Sequence, residues 1–191
     1  VVMDGVLVHA GGLGTLHVGE QHQPGADSSF RIASMTKSFV AATMLLLRDE
    51  EALRLDDTAE HWVPELQGLP LATGDSRPPT LRQLLSMNSG YPEDDPWADR
   101  LESLSDDEYS ALMGEPKTFA RTSGIAFDYS NIGFTLLGRV IQNATGQPYR
   151  DVVAERIIAP LGLSDTTWSD DGIDPARLAT GYALVDGAWF A

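Results

Sequence analysis

The chain has no cysteine, so disulfides, thiolate metal ligands and a cysteine nucleophile are all excluded. Basic residues are also scarce: 13 Lys and Arg stand against 28 Asp and Glu, which gives a formal net charge of −15. Because no basic cluster could follow a phosphate backbone, nucleic acid is not expected as a partner. The longest apolar stretch, around residues 44–47, is far shorter than the roughly 20 residues that cross a bilayer, so no transmembrane segment is expected in this chain.

Apolar residues are abundant enough for a folded core, at 42% of 191 residues. The lack of cysteine leaves the redox compartment open, and the chain opens at Val1 with strand-like sequence rather than a leader pattern. A signal peptide is therefore absent, removed or outside this sequence. Localisation and oligomeric state cannot be read from these features.

Local patterns predict short strands first and helices next. From Val1 to Glu20, valines and leucines are interrupted by Gly11, Gly12 and Gly14, which predicts a hairpin around a glycine turn. Residues 39–47 form an apolar run without Gly or Pro, which predicts a core helix with Ser34 at its N-terminal end.

The rest of the chain predicts loops with short helical pieces, two longer helices and a second hairpin. Residues 56–117 are mostly loop, with short helical pieces such as 80–87, and Trp97 either packs this region or lines a cleft. A long helix begins after Tyr129 and ends at Gly146, and another covers about 149–158. Asp186-Gly187 lies between two apolar runs, the commonest short hairpin signal.

This order predicts an α+β fold, an antiparallel sheet with a helical insertion. Residues 1–60 would hold the first hairpin and the helix with Ser34 at its N-terminal end, 61–180 a mainly helical region, and 181–191 the start of a further hairpin.

A hydroxyl and an ammonium group lie three residues apart at Ser34 and Lys37, so at a helix start they share one face. A serine becomes a good nucleophile when a nearby base takes its proton, and a lysine whose pKa is lowered can be that base. With 14 serines but only 2 lysines in the chain, chance gives about 0.15 such pairs. An accidental surface pair remains the alternative.

Tyr129 and Asn131 supply a phenol and a carboxamide two residues apart, directly before a predicted helix. A half-buried tyrosine followed by a helix cap is the simpler interpretation, because Ser130 or Asn131 can cap the helix. The two motifs in this order, just under a hundred residues apart, support each other as one catalytic group.

These motifs resemble class C β-lactamases, D-alanyl-D-alanine carboxypeptidases, D-aminopeptidases and family VIII esterases, the β-lactamase and penicillin-binding-protein superfamily. The resemblance covers nearly the whole chain, through Phe30 to Ser38, Leu53 to Asp57, Thr80 to Leu85 with Ser89-Gly90, Phe127 to Gly133, and Ala159 to Leu163.

The resemblance implies a β-lactamase/transpeptidase-like fold and a serine hydrolase that needs no cofactor or metal. Ser34 would be acylated, Lys37 would assist its deprotonation, and Tyr129 would carry a proton between nucleophile, leaving group and water. Asn131 would bind the substrate amide, and the backbone N–H of Ser34 would be one oxyanion donor. The substrate would be a small molecule or peptide: a β-lactam, a D-amino-acid peptide or a small ester.

One family motif has no convincing copy here: Lys or His, any residue, then Gly, on a strand near the C-terminus. Neither Lys117 nor His61 is followed by Gly two residues later. Since this motif normally lies well beyond the second one, we expect a chain that stops before its last strands, with C-terminal strands missing. Such a fragment would be a weak or inactive catalyst alone.

Two other classes of hydrolase lack the motifs that they need. A Ser-His-Asp hydrolase would need one of the four histidines as base, but none accompanies a G-x-S-x-G elbow. A metal hydrolase would need an H-E-x-x-H helix or similar ligands, which the sequence lacks. The stronger alternative is a non-catalytic homologue that binds peptide or muropeptide-like ligands in the same pocket.

Overall fold

The computed structural model describes residues 1–93 and 104–190, so Trp97 lies outside the described residues. The chain forms two units. The terminal unit combines Val1–Ser34 with Ser164–Ala191, and the helical unit is Met35–Leu163. The division of the sequence at residues 60 and 180 stays a prediction.

The first hairpin of the terminal unit is shorter than expected. Strand β1 (Val2–Met3) pairs antiparallel with β2 (Val6–Leu7). Its turn is Asp4-Gly5, where φ is 49° and 75°, as in the type I′ turns that favour Asp-Gly. The predicted turn at the glycines of residues 11–14 is therefore wrong, because the same dipeptide signal that predicts the last hairpin also occurs at residues 4–5.

The last hairpin agrees with its prediction. Strand β3 (Ala183–Val185) pairs antiparallel with β4 (Ala188–Phe190) around Asp186-Gly187, where φ is 49° and 80°. All residues of both strands are exposed. Elsewhere in this unit, Ser29 and Leu178 form a parallel bridge, so the early and late segments of the chain pair directly.

The helical unit begins with the predicted core helix, α1 (Thr36–Asp49). Its buried residues recur with helical spacing along one face, at Val40, Thr43, Met44 and Leu47. Ser34 lies in a one-turn 3-10 helix, Ala33–Met35, directly before α1 in the chain.

Three short helices follow: α2 (Ala59–Trp62), α3 (Leu81–Leu85) and α4 (Asp106–Met113). A 3-10 turn, Pro64–Leu66, follows α2. Reciprocal capping boxes begin α3 and α4, so the starts of these helices are set by local sequence. The predicted helix start at Thr80 is confirmed, since its hydroxyl accepts from the Gln83 N–H.

The longest helix, α5 (Asn131–Thr145), is capped by Ser130 and ends at Gly146, where φ is 71°. It packs against α1, α2, α3 and the next helix, α6 (Tyr149–Val153). A π-helical turn, Ala154–Ile158, continues α6, so the third predicted helix has the expected extent. The core of the helical unit forms around α5, whose buried residues are Ile132, Gly133, Leu136, Leu137, Gly138, Val140 and Ile141.

A half-buried ion pair connects α5, α4 and the Pro64–Leu66 turn. Arg139 Nη2 lies 3.2 Å from Glu65 Oε1 and donates to Ser110 Oγ at 2.8 Å, and Ser110 donates to Glu65 Oε1 at 2.9 Å. The Arg139 and Glu65 side chains are 16% and 21% exposed. Desolvation alone would raise the pKa of Glu65, but hydrogen bonds from its own backbone, Ser110 and Arg139 hold that pKa below its usual value.

We expect Glu65→Gln to lower the free energy of unfolding at pH 7 by about 1 to 3 kcal/mol, because Arg139 loses the nearer of its two acidic partners, Glu65 and Asp106. Since the pKa of Glu65 is depressed in the folded state, the wild-type advantage is complete above the unfolded-state pKa, about 4.3. It is lost as the pH falls through the lower folded-state pKa.

Urea unfolding of both proteins at pH 7, 5, 4 and 3 measures this difference. Glu155→Gln, at an exposed position, is the control and should change little. A wild-type advantage that is the same at pH 3 and pH 7 would contradict a role for the Glu65 charge.

Candidate active site

The predicted nucleophile lies next to an unusual backbone conformation. Ser34 is exposed, and the residue before it, Ala33, has a φ of 44°. A non-glycine residue in the left-handed region costs about 1 to 3 kcal/mol, and such residues concentrate at functional sites. The backbone directly before Ser34 therefore has a conformation of higher energy, which persists only because the surrounding structure requires it.

The structure brings the other three predicted site residues together within the helical unit. Lys37, in the first turn of α1, donates from Nζ to Tyr129 Oη at 2.8 Å and to Asn131 Oδ1 at 2.8 Å. All three side chains are half-buried. Residues that are 92 and 94 positions from Lys37 in the chain thus form one hydrogen-bonded group.

An aromatic ring that the sequence analysis did not single out completes this group. Lys37 Nζ lies 5.8 Å from the ring centroid of Phe134, within the range of a cation–π contact. Phe134 follows Asn131 by three residues on α5, so both side chains lie on one helix face. That helical spacing was the signal that could have identified Phe134.

The loop before Tyr129 is held against the segment that follows α3. Gly124 N–H donates to Asn88 O at 2.7 Å, and Asp128 N–H donates to Met87 O at 2.8 Å. On its other side, Tyr129 adjoins Ser130, whose hydroxyl accepts from the Gly133 N–H at 3.3 Å and caps α5. The backbone is thus anchored on both sides of Tyr129.

The arrangement suits proton transfer. The Lys37 ammonium group donates to the Tyr129 oxygen, so a positive charge lies beside an atom that can take and release a proton. The carboxamide oxygen of Asn131 holds the same ammonium group from a second direction. No cluster of three or more potential metal ligands occurs within residues 1–93 and 104–190.

Two of the four histidines, His17 and His61, make contacts typical of structural residues. His17 Nδ1 lies 2.9 Å from Thr180 Oγ1, and His61 packs edge-on against Trp62 with ring centroids 5.3 Å apart. The His-x-Gly pattern of the third family motif does occur at His9 and His17, but both precede Ser34 and lie outside the strands of the terminal unit.

Within residues 1–93 and 104–190, none of the helices has the length and the apolar character that a membrane-spanning helix needs.

Comparison with known proteins finds relatives that match most of this chain. "Protein flp" of Staphylococcus aureus (strain MW2) is 29% identical over 187 residues, covering 96% of this chain and 37% of the relative. The D-alanyl-D-alanine-carboxypeptidase/endopeptidase AmpH of Escherichia coli (strain K12) is 30% identical over 179 residues, covering 88% of this chain and 44% of the relative. The chain thus spans less than half the length of these curated relatives.

A solved structure agrees with the sequence relatives. The D-amino acid amidase of Ochrobactrum anthropi, complexed with L-phenylalanine amide, superposes with a TM-score of 0.68 at 34% identity, over 88% of this chain and 48% of the amidase. The predicted α+β, β-lactamase/transpeptidase-like fold is confirmed by such neighbours.

The family model described as "Beta-lactamase" matches residues 1–190, which is almost the entire sequence. The resemblance carried by the motifs around Ser34 and Tyr129 is therefore confirmed at the level of the superfamily. With its fold, its motifs and its relatives in agreement, the chain belongs to the β-lactamase family.

Proposed function

We propose that this chain carries the nucleophile and the proton-transfer group of a serine hydrolase that acts through an acyl-enzyme. The observation that supports this most directly is the 2.8 Å hydrogen bond from Lys37 Nζ to Tyr129 Oη. The two groups that the motifs assign to proton transfer are already in contact. Membership of a family of acyl-enzyme hydrolases supports the same reaction class.

In the proposed reaction, the Tyr129–Lys37 pair reacts in the form that has one proton fewer than a phenol beside an ammonium group. Ser34 Oγ attacks the substrate carbonyl carbon, and its proton passes to this pair. The tetrahedral intermediate collapses as its C–N or C–O bond breaks, and the leaving amine or alcohol takes that proton. Water then attacks the acyl-enzyme, gives up its proton through the same pair, and releases Ser34 with a carboxylic acid. Each step needs one group that alternates between acid and base.

Asn131 would have two roles in this scheme. Its Oδ1 accepts from Lys37 Nζ at 2.8 Å, which restrains the direction of the ammonium group. The family resemblance adds a contact between the carboxamide and the substrate amide. Phe134, 5.8 Å from Nζ, covers the same lysine from the side of α5.

The substrate would be an amide or ester: a β-lactam, a D-amino-acid peptide or a small ester. The names of a carboxypeptidase and a D-amino acid amidase, 30% and 34% identical to this chain, favour bonds next to a D-amino acid. The alternative is a non-catalytic module that binds peptide or muropeptide-like ligands. The presence of Ser34, Lys37 and Tyr129 together argues against that alternative, because a binding module would not need all three.

We expect the full-length protein to form a covalent adduct at Ser34 with a fluorophosphonate probe, because Ser34 has Lys37 one helical turn further along the chain. Intact-mass and peptide mass spectrometry would find one added group, located at residue 34. Ser38→Ala, which removes an exposed serine of α1, is the matched control and should keep the adduct. Labelling that persists in Ser34→Ala would contradict the assignment.

Tyr129→Phe should lower turnover by about 10² to 10⁴, the usual contribution of a general acid–base group. The ring is kept, so the circular dichroism spectrum and the melting temperature should change little. Tyr149→Phe, which removes a phenol hydroxyl from α6, is the matched control. Hydrolysis of a p-nitrophenyl ester and of D-phenylalanine amide measures kcat for both variants of the full-length protein, and an unchanged kcat in Tyr129→Phe would show that its hydroxyl takes no part.

A further inference from the structure

The residue directly before Tyr129 is held by a two-point ion pair. The guanidinium group of Arg121 contacts both oxygens of the Asp128 carboxylate, with Nε 2.7 Å from Oδ2 and Nη2 donating to Oδ1 at 2.9 Å. The Asp128 side chain is only 17% exposed. Of the two contacts, Nη2–Oδ1 has hydrogen-bond geometry, and the Nε–Oδ2 contact adds charge attraction to a buried carboxylate oxygen.

The backbone of Arg121 is itself packed closely against Gly90. Gly90 has a φ of 85°, and a Cβ atom there would lie 2.2 Å from Arg121 O, so only glycine fits. Ala120 N–H donates to Gly90 O at 2.9 Å. The backbone position of Arg121 is therefore fixed. As a result, the ion pair restricts where the Asp128 carboxylate can lie.

The main chain of Asp128 has a second support. Its N–H donates to Met87 O at 2.8 Å, and Met87 has a left-handed φ of 53°. Such a conformation at a non-glycine residue costs about 1 to 3 kcal/mol and persists where its surroundings require it. Side chain and main chain of Asp128 thus both connect to the segment at residues 87–90, directly or through Arg121.

We propose that Arg121 and Asp128 are positioning residues, which fix the backbone before Tyr129 so that its hydroxyl stays at hydrogen-bonding distance from Lys37 Nζ. This inference rests on the proposed function, since it assigns the pair to the proton-transfer group. Neither residue touches the reacting atoms. Misplacing a catalytic group by about 1 Å can cost about 100-fold in rate, so loss of this support should appear in kcat.

The chain offers a matched ion pair for comparison. Arg82 Nε lies 2.8 Å from Asp56 Oδ1 and Arg82 Nη2 lies 3.2 Å from Asp56 Oδ2, with both side chains more than half exposed. Asp56→Asn therefore removes a similar interaction from a position outside the proton-transfer group. It controls for the general effect of losing an arginine–aspartate pair.

Steady-state hydrolysis by variants of the full-length protein should separate positioning from a merely structural role. We expect Asp128→Asn and Arg121→Gln each to lower kcat by about 10- to 100-fold with little change in KM. The double variant should fall no further than the single ones, because the two residues act as one unit. Arg121→Lys keeps the charge but not the planar fork, and should be intermediate. Asp56→Asn should keep kcat.

A second measurement does not depend on turnover. In protein labelled with 3-fluorotyrosine, the ¹⁹F resonance of Tyr129 is assigned as the signal lost in Tyr129→Phe. Asp128→Asn should shift or broaden that resonance, while Asp56→Asn leaves it in place.

The outcomes distinguish a positioning role of the Arg121–Asp128 pair from a merely structural one, and both from a failure of the proposed function. A Tyr129 resonance and a kcat that are both unchanged in Asp128→Asn would overturn the proposal, as would equal losses of melting temperature and kcat in Asp128→Asn and Asp56→Asn. A full-length wild-type protein that neither hydrolyses substrate nor labels at Ser34 would overturn the proposed function instead, and the resonance would still report whether the pair positions Tyr129.

Discussion

The packing of α5 is the constraint on which the helical unit depends. Its buried face contacts α1, α2, α3 and α6 at once, and its residues form much of the core. Each fully buried Leu, Ile or Val contributes about 1.5 to 3 kcal/mol relative to an exposed one. Because α5 begins at Asn131, directly after the Ser130 cap, the packing that stabilises the unit also fixes where Tyr129 and Asn131 lie. Core and site are therefore set by one helix.

The two lysines of this acidic chain each have a defined place in the helical unit. Lys37 donates to Tyr129 and Asn131, whereas Lys117 donates to the carbonyl oxygens of Leu112 and Met113 at the end of α4, at 2.6 and 3.3 Å. Burial lowers the pKa of Lys117, against the opposing charge of Glu115. Lys117 thus binds the carbonyl groups at the C-terminal end of α4. Lys37, on α1, instead binds Tyr129 and Asn131, and the Tyr129 hydroxyl can exchange a proton.

Sequence reasoning succeeded where the residues that carry a signal lie within one turn of the backbone groups that they affect. The capping residues Thr80 and Ser130 begin their helices, and Gly146 ends one, because each acts on backbone groups within one turn. Asp186-Gly187 turns a hairpin for the same reason. The first hairpin was misplaced because the glycines at residues 11–14 outweighed the shorter but more specific signal at residues 4–5. The motifs also identified the family, since their order along the chain is itself sequence information.

The sequence by itself determined the start of α3, both ends of α5, the last hairpin and the identity of the candidate site residues, including the Ser34–Lys37 spacing. Only the tertiary structure decided that Lys37 Nζ lies 2.8 Å from groups at residues 129 and 131. It alone revealed the Arg121–Asp128 and Glu65–Arg139 pairs. Local signals act through backbone hydrogen bonds within a turn or two. Contacts between distant residues instead depend on how α1, α3, α4 and α5 pack, which no short stretch of sequence specifies.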